Sequence, residues 1–164
     1  MKSIRTLTAL ALLAGLGCAA QAGAVTVSFT NPDMYIDAST SRWDEKANLQ
    51  ALATHLQRLG ERWLPANQSL KIEVMDVDLA GAVHPSRIDG SPLRTVRGRT
   101  DWPKVNVRYI LETDGQAVRT SEEWVSDINY ARGLPRASSN EPLYYEKRML
   151  EVWFKGRFAQ GNPG

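Results

Sequence analysis

Asp76 and Asp78 stand two residues apart in Leu70 to Leu79, a stretch that reads as a strand, so both carboxylates project from one face. Two like charges held that close raise one pKa or attract a cation. A hard cation needs about six oxygen ligands, so two aspartates fall short and no metal is expected. The plainer role is structural, with the strand end emerging into solvent and one Asp capping the turn at Ala80-Gly81. His84, which precedes Pro85, could join the two aspartates as a base, and a hydrolase would have to be built on these three. The other histidine, His55, lies at the flank of a helical apolar stripe and reads as a half-buried structural residue. No G-x-S-x-G elbow and no Gly-rich strand-to-helix loop occurs, so no cofactor is expected.

Arginine supplies a second kind of chemistry. Arg87, Arg94, Arg97 and Arg99 fall within Gly81 to Pro103, against Asp89 and Asp101, with Trp102 beside them. The planar guanidinium fork matches carboxylate and phosphate, and an indole adds a flat apolar surface. An anionic small molecule, a glycan or a lipid headgroup would suit such a loop; local pairing of a solvated charge run is the competing reading. Glu146 is a third case. It sits on the apolar face of the last helical segment, between Leu143 and Leu150, and is expected to be buried in a structural ion pair. Lys104, Arg108 or Arg119 would be its partner.

These residues need elements to hold them. Val25 to Thr30 alternates as a strand with Val25, Val27 and Phe29 inward. A helix over 42–64 begins at a Ser41–Asp44 capping box, carries Leu49, Leu52, Leu56, Leu59 and Trp63 on one stripe, and stops at Pro65. Within Leu70 to Leu79 the apolar phase flips near Met75, which predicts a bulge or a change of covered face. Lys104 to Glu112 and Ala117 to Val125 form a hairpin about Asp114-Gly115, and a two-residue turn sets Leu111 opposite Val118 and Val105 opposite Trp124. A last helix starts near Asn140, with Leu143, Leu150, Trp153 and Phe154 inward and Tyr145 pointing away towards a partner surface. The order β-α-β-β-β-α predicts an α+β fold, two helices packed on a four-stranded mixed sheet, with the first two strands parallel. Gly81 to Pro103 reads as a long loop, which in a compact domain points to function or mobility.

Composition narrows the class. Of 164 residues 43% are hydrophobic and 23% charged, an ordinary globular balance. Met1, Lys2 and Arg5 form a basic start, Leu7 to Leu16 an apolar run too short for a bilayer, and Ala20-Gln21-Ala22 a small-x-small site. That is the pattern of a cleaved signal peptide over residues 1–22, giving an exported, periplasmic protein. The two cations lost with it leave 18 basic against 18 acidic residues, so no nucleic-acid partner is expected. The mature chain then has no cysteine, because Cys18 is the only one; lipid anchoring through Cys18 is the rival reading, against which stands Gly15 where an aliphatic residue is usual. Residues 23–160 are expected to form one domain and 161–164 a frayed tail, with no transmembrane segment.

Four segments carry a resemblance. Asp76-Val-Asp-Leu-Ala-Gly81, Asp101-Trp-Pro103, Asp127-Ile-Asn-Tyr130 and Tyr144-Tyr-Glu-Lys-Arg-Met-Leu150 followed by Trp153-Phe154 together resemble the domain-of-unknown-function 3016 family of small exported bacterial proteins. The resemblance implies an exported single-domain envelope protein and carries no catalytic residues with it. The expectation is therefore a non-catalytic periplasmic binding or envelope-associated protein. The alternatives are a hydrolase-like enzyme using Asp76, Asp78 and His84, and an envelope assembly subunit.

Overall fold

Alternating strands and amphipathic helices assemble as their periods require. The computed structural model describes residues 23–39, 42–96, 100–132 and 141–159. The proposed signal segment, the tail, Ser41, Arg97, Arg99 and Asn140 lie outside the described residues. Strand β1 (Ala24–Phe29) is followed by helix α1 (Arg42–Trp63) and strand β2 (Gln68–Asp78). Two short strands, β3 (Ala82–Pro85) and β4 (Pro92–Thr95), precede β5 (Lys104–Thr113), β6 (Gln116–Ser126) and helix α2 (Tyr144–Phe154). The main sheet runs β1-β2-β5-β6, with β1 parallel to β2 and the other neighbours antiparallel, while β3 and β4 pair separately. This is the α+β arrangement of two helices on a mixed four-stranded sheet, with a small second sheet added.

Both helices lie on one face of the sheet. Leu49, Leu52, Leu56 and Leu59 of α1 meet Leu70, Ile72, Val74, Val105, Val107 and Tyr109 in a single buried cluster, which Met149, Leu150, Phe154 and Phe158 complete. The opposite face is polar, as period-two alternation demands. There Arg108 bridges Glu73 at 3.1 Å and Glu122 at 2.9 Å, and Lys71 meets Glu112 at 2.6 Å. The phase change in β2 is a bulge: the register to β5 shifts between Val74 and Asp76. Beyond it Val77 and Leu79 return to the core, and residues 35–38 take over from β1, with Asp37 N–H on Val77 O and Leu79 N–H on Asp37 O.

Four expectations are corrected. The hairpin turn is the two residues Asp114-Gly115, both at positive φ, yet a second register shift beside Glu112 sets Leu111 opposite Arg119 and Val105 opposite Val125. One extra residue on β6 leaves Val118 and Trp124 exposed instead of paired inward. Gly81 to Pro103 is not a plain loop, because Ala82 to Pro85 and Pro92 to Thr95 pair as a hairpin. Helix α2 begins at Tyr144, since Leu143 stands at φ 57° in the left-handed region and cannot belong to the helix. Tyr145 does not point away to a free surface: its ring meets Tyr130 edge-on at 4.9 Å and Tyr144 at 5.6 Å. After Phe154 the helix widens into a π turn, Lys155–Ala159, which drops Phe158 against Tyr109, Trp153 and Phe154.

Candidate functional site

The residues singled out for chemistry separate into different places. Asp76 Oδ1 accepts from the main-chain N–H of Ile36 at 2.9 Å and of Val77 at 2.8 Å, so it fastens the 35–38 segment to the bulge. Asp78 pairs with Lys104 at 2.7 Å, whose ammonium also lies 5.4 Å from the Trp102 ring centre. His84 sits on β3 opposite Leu93, with Nε2 buried and without a hydrogen-bond partner among the described residues. His55 Nε2 lies 2.9 Å from the Lys147 carbonyl, a donor contact for the neutral ring, and burial lowers its pKa. Arg87 is exposed in the β3–β4 turn, whereas Arg94 is held. Its guanidinium grips both oxygens of Asp37, at 3.0 and 2.8 Å, and also donates to the Ala80 and Gly81 carbonyls at 3.3 Å each. The arginine loop is thus not one uniform positive surface, because Asp37 cancels the charge of Arg94.

Glu146 is 3% exposed, in the first turn of α2. Lys104, Arg108 and Arg119 are engaged elsewhere: Lys104 with Asp78, Arg108 with Glu73 and Glu122, Arg119 with the Arg157 carbonyl. The carboxylate accepts instead from the main-chain N–H of Ala80 at 2.7 Å. Burial pushes its pKa up, against smaller opposing effects from the Ala80 N–H, its own N–H, Arg94 and Lys147. The protonated carboxyl is therefore the favoured form here over a wider pH range than for a surface glutamate.

Glu146 and Arg94 line the same cleft, of about 360 Å³, between the start of α1, the β2–β3 junction, β4 and the start of α2. Asp44, Asn48, Leu79, Val96, Tyr144 and Tyr145 complete most of its wall. Asp76, Asp78, His84 and Trp102 do not line it. An open depression of about 490 Å³ beside His55 is larger, but its wall is the outer side of α1 with Glu141 and Lys147. The cleft is the place where a buried acid, a clamped arginine and two tyrosines come together, a mix of polar and aromatic groups that small-ligand sites use.

The cleft stands where four distant segments meet. Ala80 receives Glu146, Gly81 N–H donates to the Asp101 carbonyl at 2.9 Å, and Asp127 N–H reaches the Pro103 carbonyl at 3.4 Å. The Tyr130 hydroxyl then donates to Asp101 Oδ1 at 2.8 Å while its ring supports Tyr145. Asp37, Asp101 and Tyr130 do not line the cleft but support Arg94 and Tyr145, which do, and reasoning from chemistry alone does not give them that role. Asp101 and Tyr130 at least lie in segments that carry the family resemblance, whereas Asp37 has no local signal. No curated protein and no solved structure matches the chain. A family model described as a protein of unknown function (DUF3016) matches residues 23–156, which include every segment that builds the cleft, and the chain belongs to that family.

Proposed function

We propose that the chain is a non-catalytic periplasmic binding protein of the cell envelope, and that the cleft receives a small uncharged, hydroxyl-rich ligand such as a glycan unit. The observation that carries this reading is a mixed polar and apolar wall with no surplus of positive charge, in which Asp44 and Glu141 stand with Arg94 and Glu146. Arg94 is neutralised by Asp37, and Glu146 is biased towards its neutral acid. Asn48, Tyr144 and Tyr145 add an amide and two phenols, and leucine and valine supply apolar patches. Hydroxyl groups find donors and acceptors in such a wall, while a polyanion would find no surplus of positive charge. The basic start, apolar run and Ala-x-Ala site of the first 22 residues support the periplasmic assignment. Among the described residues no helix is long and apolar enough to cross a membrane.

A panel of neutral oligosaccharides, heparin and anionic vesicles tests the ligand class by calorimetry and thermal shift. Neutral sugars are expected to bind, and Tyr144→Ala to weaken that binding at least about tenfold, the loss of a good ring contact and its hydroxyl. Binding of heparin or vesicles alone, unaffected by Tyr144→Ala, would place the ligand on the arginine loop instead.

A further inference from the structure

The longest exposed stretch of polar main chain lies away from the cleft. Strand β6 has eleven residues and, among the described residues, stands at the edge of the sheet and pairs on one side only, with β5. Val118 and Trp124 on it are 58% and 51% exposed. An edge of this length leaves a row of N–H and C=O groups that another strand can use. From Arg119 onward, past the bulge, only alternate residues turn those groups outward, so a second strand can move along the edge only in steps of two residues.

The side chains of β6 read as their own complement in one of these registers. We propose that two copies of this chain join through β6, antiparallel about a two-fold axis at Ser121, into one continuous eight-stranded sheet. About that axis Arg119 faces Glu123 of the second copy, and Glu123 faces Arg119, so opposite charges meet twice. Glu122 meets Thr120 twice on the other face, while Val118, the extra residue of the bulge, ends the regular pairing. Moving the axis to Glu122 would set that glutamate against its own copy. Moving it to Thr120 would leave Arg119 opposite Ser121 and Glu123 opposite Ala117. Each charged residue already has a hold within its own chain that leaves capacity over. Arg119 uses Nη1 on the Arg157 carbonyl, and Glu122 keeps Arg108. Glu123 accepts from Trp153 and Arg157, and a carboxylate has room for a further donor. The isologous geometry closes at two copies, because it uses up the free edge of both.

The test uses the full chain carrying Cys18→Ser, so that no native thiol interferes. Sedimentation velocity is expected to find a dimer at high micromolar concentration. Arg119→Glu and Glu123→Lys, each alone, set like charges opposite each other and should weaken the dimer at least about tenfold. An equimolar mixture of the two variants restores both ionic pairs and should dimerise again. In a separate arm, Ser121→Cys is expected to form a disulfide-linked dimer on air oxidation, whereas Ser126→Cys, which lies far from its own copy about this axis, is not. A monomeric parent, a mixture that stays monomeric while its members are folded, or equal crosslinking at both cysteine positions would overturn the proposal.

Discussion

Glu146 shows how a single buried group ties stability to pH. The unfolded chain releases this proton near pH 4.5, while burial holds it in the folded protein to higher pH. Between those two points the folded state carries more protons, so the stability this group contributes is full below about 4.5 and is lost as pH rises through the folded value. Glu146→Gln removes the titration and keeps the shape. Its urea midpoint relative to the parent should therefore climb as pH rises above about 4.5, and a constant difference would mean that the carboxyl is solvated. Glu146→Ala leaves the Ala80 N–H without its acceptor and is expected to cost about 1–3 kcal/mol. Tyr130→Phe, which removes the hydroxyl on Asp101, should cost about 1 kcal/mol in the same assay. The burial of Glu146 was legible, because it shares the inward face of α2 with Leu150, although Leu143 proves to stand outside the helix. The partner of Glu146 was not legible, since a main-chain N–H leaves no mark in sequence. Arg94 read as one cation in a run for the same kind of reason: Asp37, which holds it, lies 57 positions away.

At the scale of elements, the periods of β2, β5 and α1 were strong enough to specify strand, strand and helix, and even the bulge at Met75 followed from the phase of the apolar residues. What escaped was a matter of single residues. The extra residue at Val118 inverts the pairing of everything after it, although the turn itself was read correctly. The β3–β4 hairpin escaped because Ala82 to Pro85 and Pro92 to Thr95 are four residues each and carry prolines, which ordinarily argue against a strand. Leu143 in the left-handed region shortened α2 in a way that no propensity scale anticipates. The Asp114-Gly115 turn offers a clean measurement of backbone conformation alone. Gly115 has φ 77° and open space around its would-be Cβ, so Gly115→Ala should lower stability by about 1–2 kcal/mol without touching a neighbour. An unchanged urea midpoint would mean that the turn relaxes to another type.

The whole molecule depends on how closely α1 lies on β1. A Cβ on Gly60 would collide with Val25 Cγ2, and Gly23 N–H donates to the Leu64 carbonyl at 3.3 Å, so the helix end and the first strand leave no room between them. Gly60→Ala gains helix propensity of about 1 kcal/mol, yet overpacking against a β-branched neighbour costs about 1–3 kcal/mol, and a net loss in thermal midpoint is expected. Helix α2 and the π turn raise a different matter, that of order in time. Phe154 and Phe158 come after every strand of the sheet in the chain, and they close the same core that β2 and β5 open. A growing polypeptide therefore carries an uncovered apolar sheet face until α2 has been made, and the cleft has no second wall before Tyr144 arrives. A chain stopped at Arg132 should be digested by protease under conditions in which the complete chain resists. A stop codon placed just before α2 would therefore be as damaging as one inside the sheet.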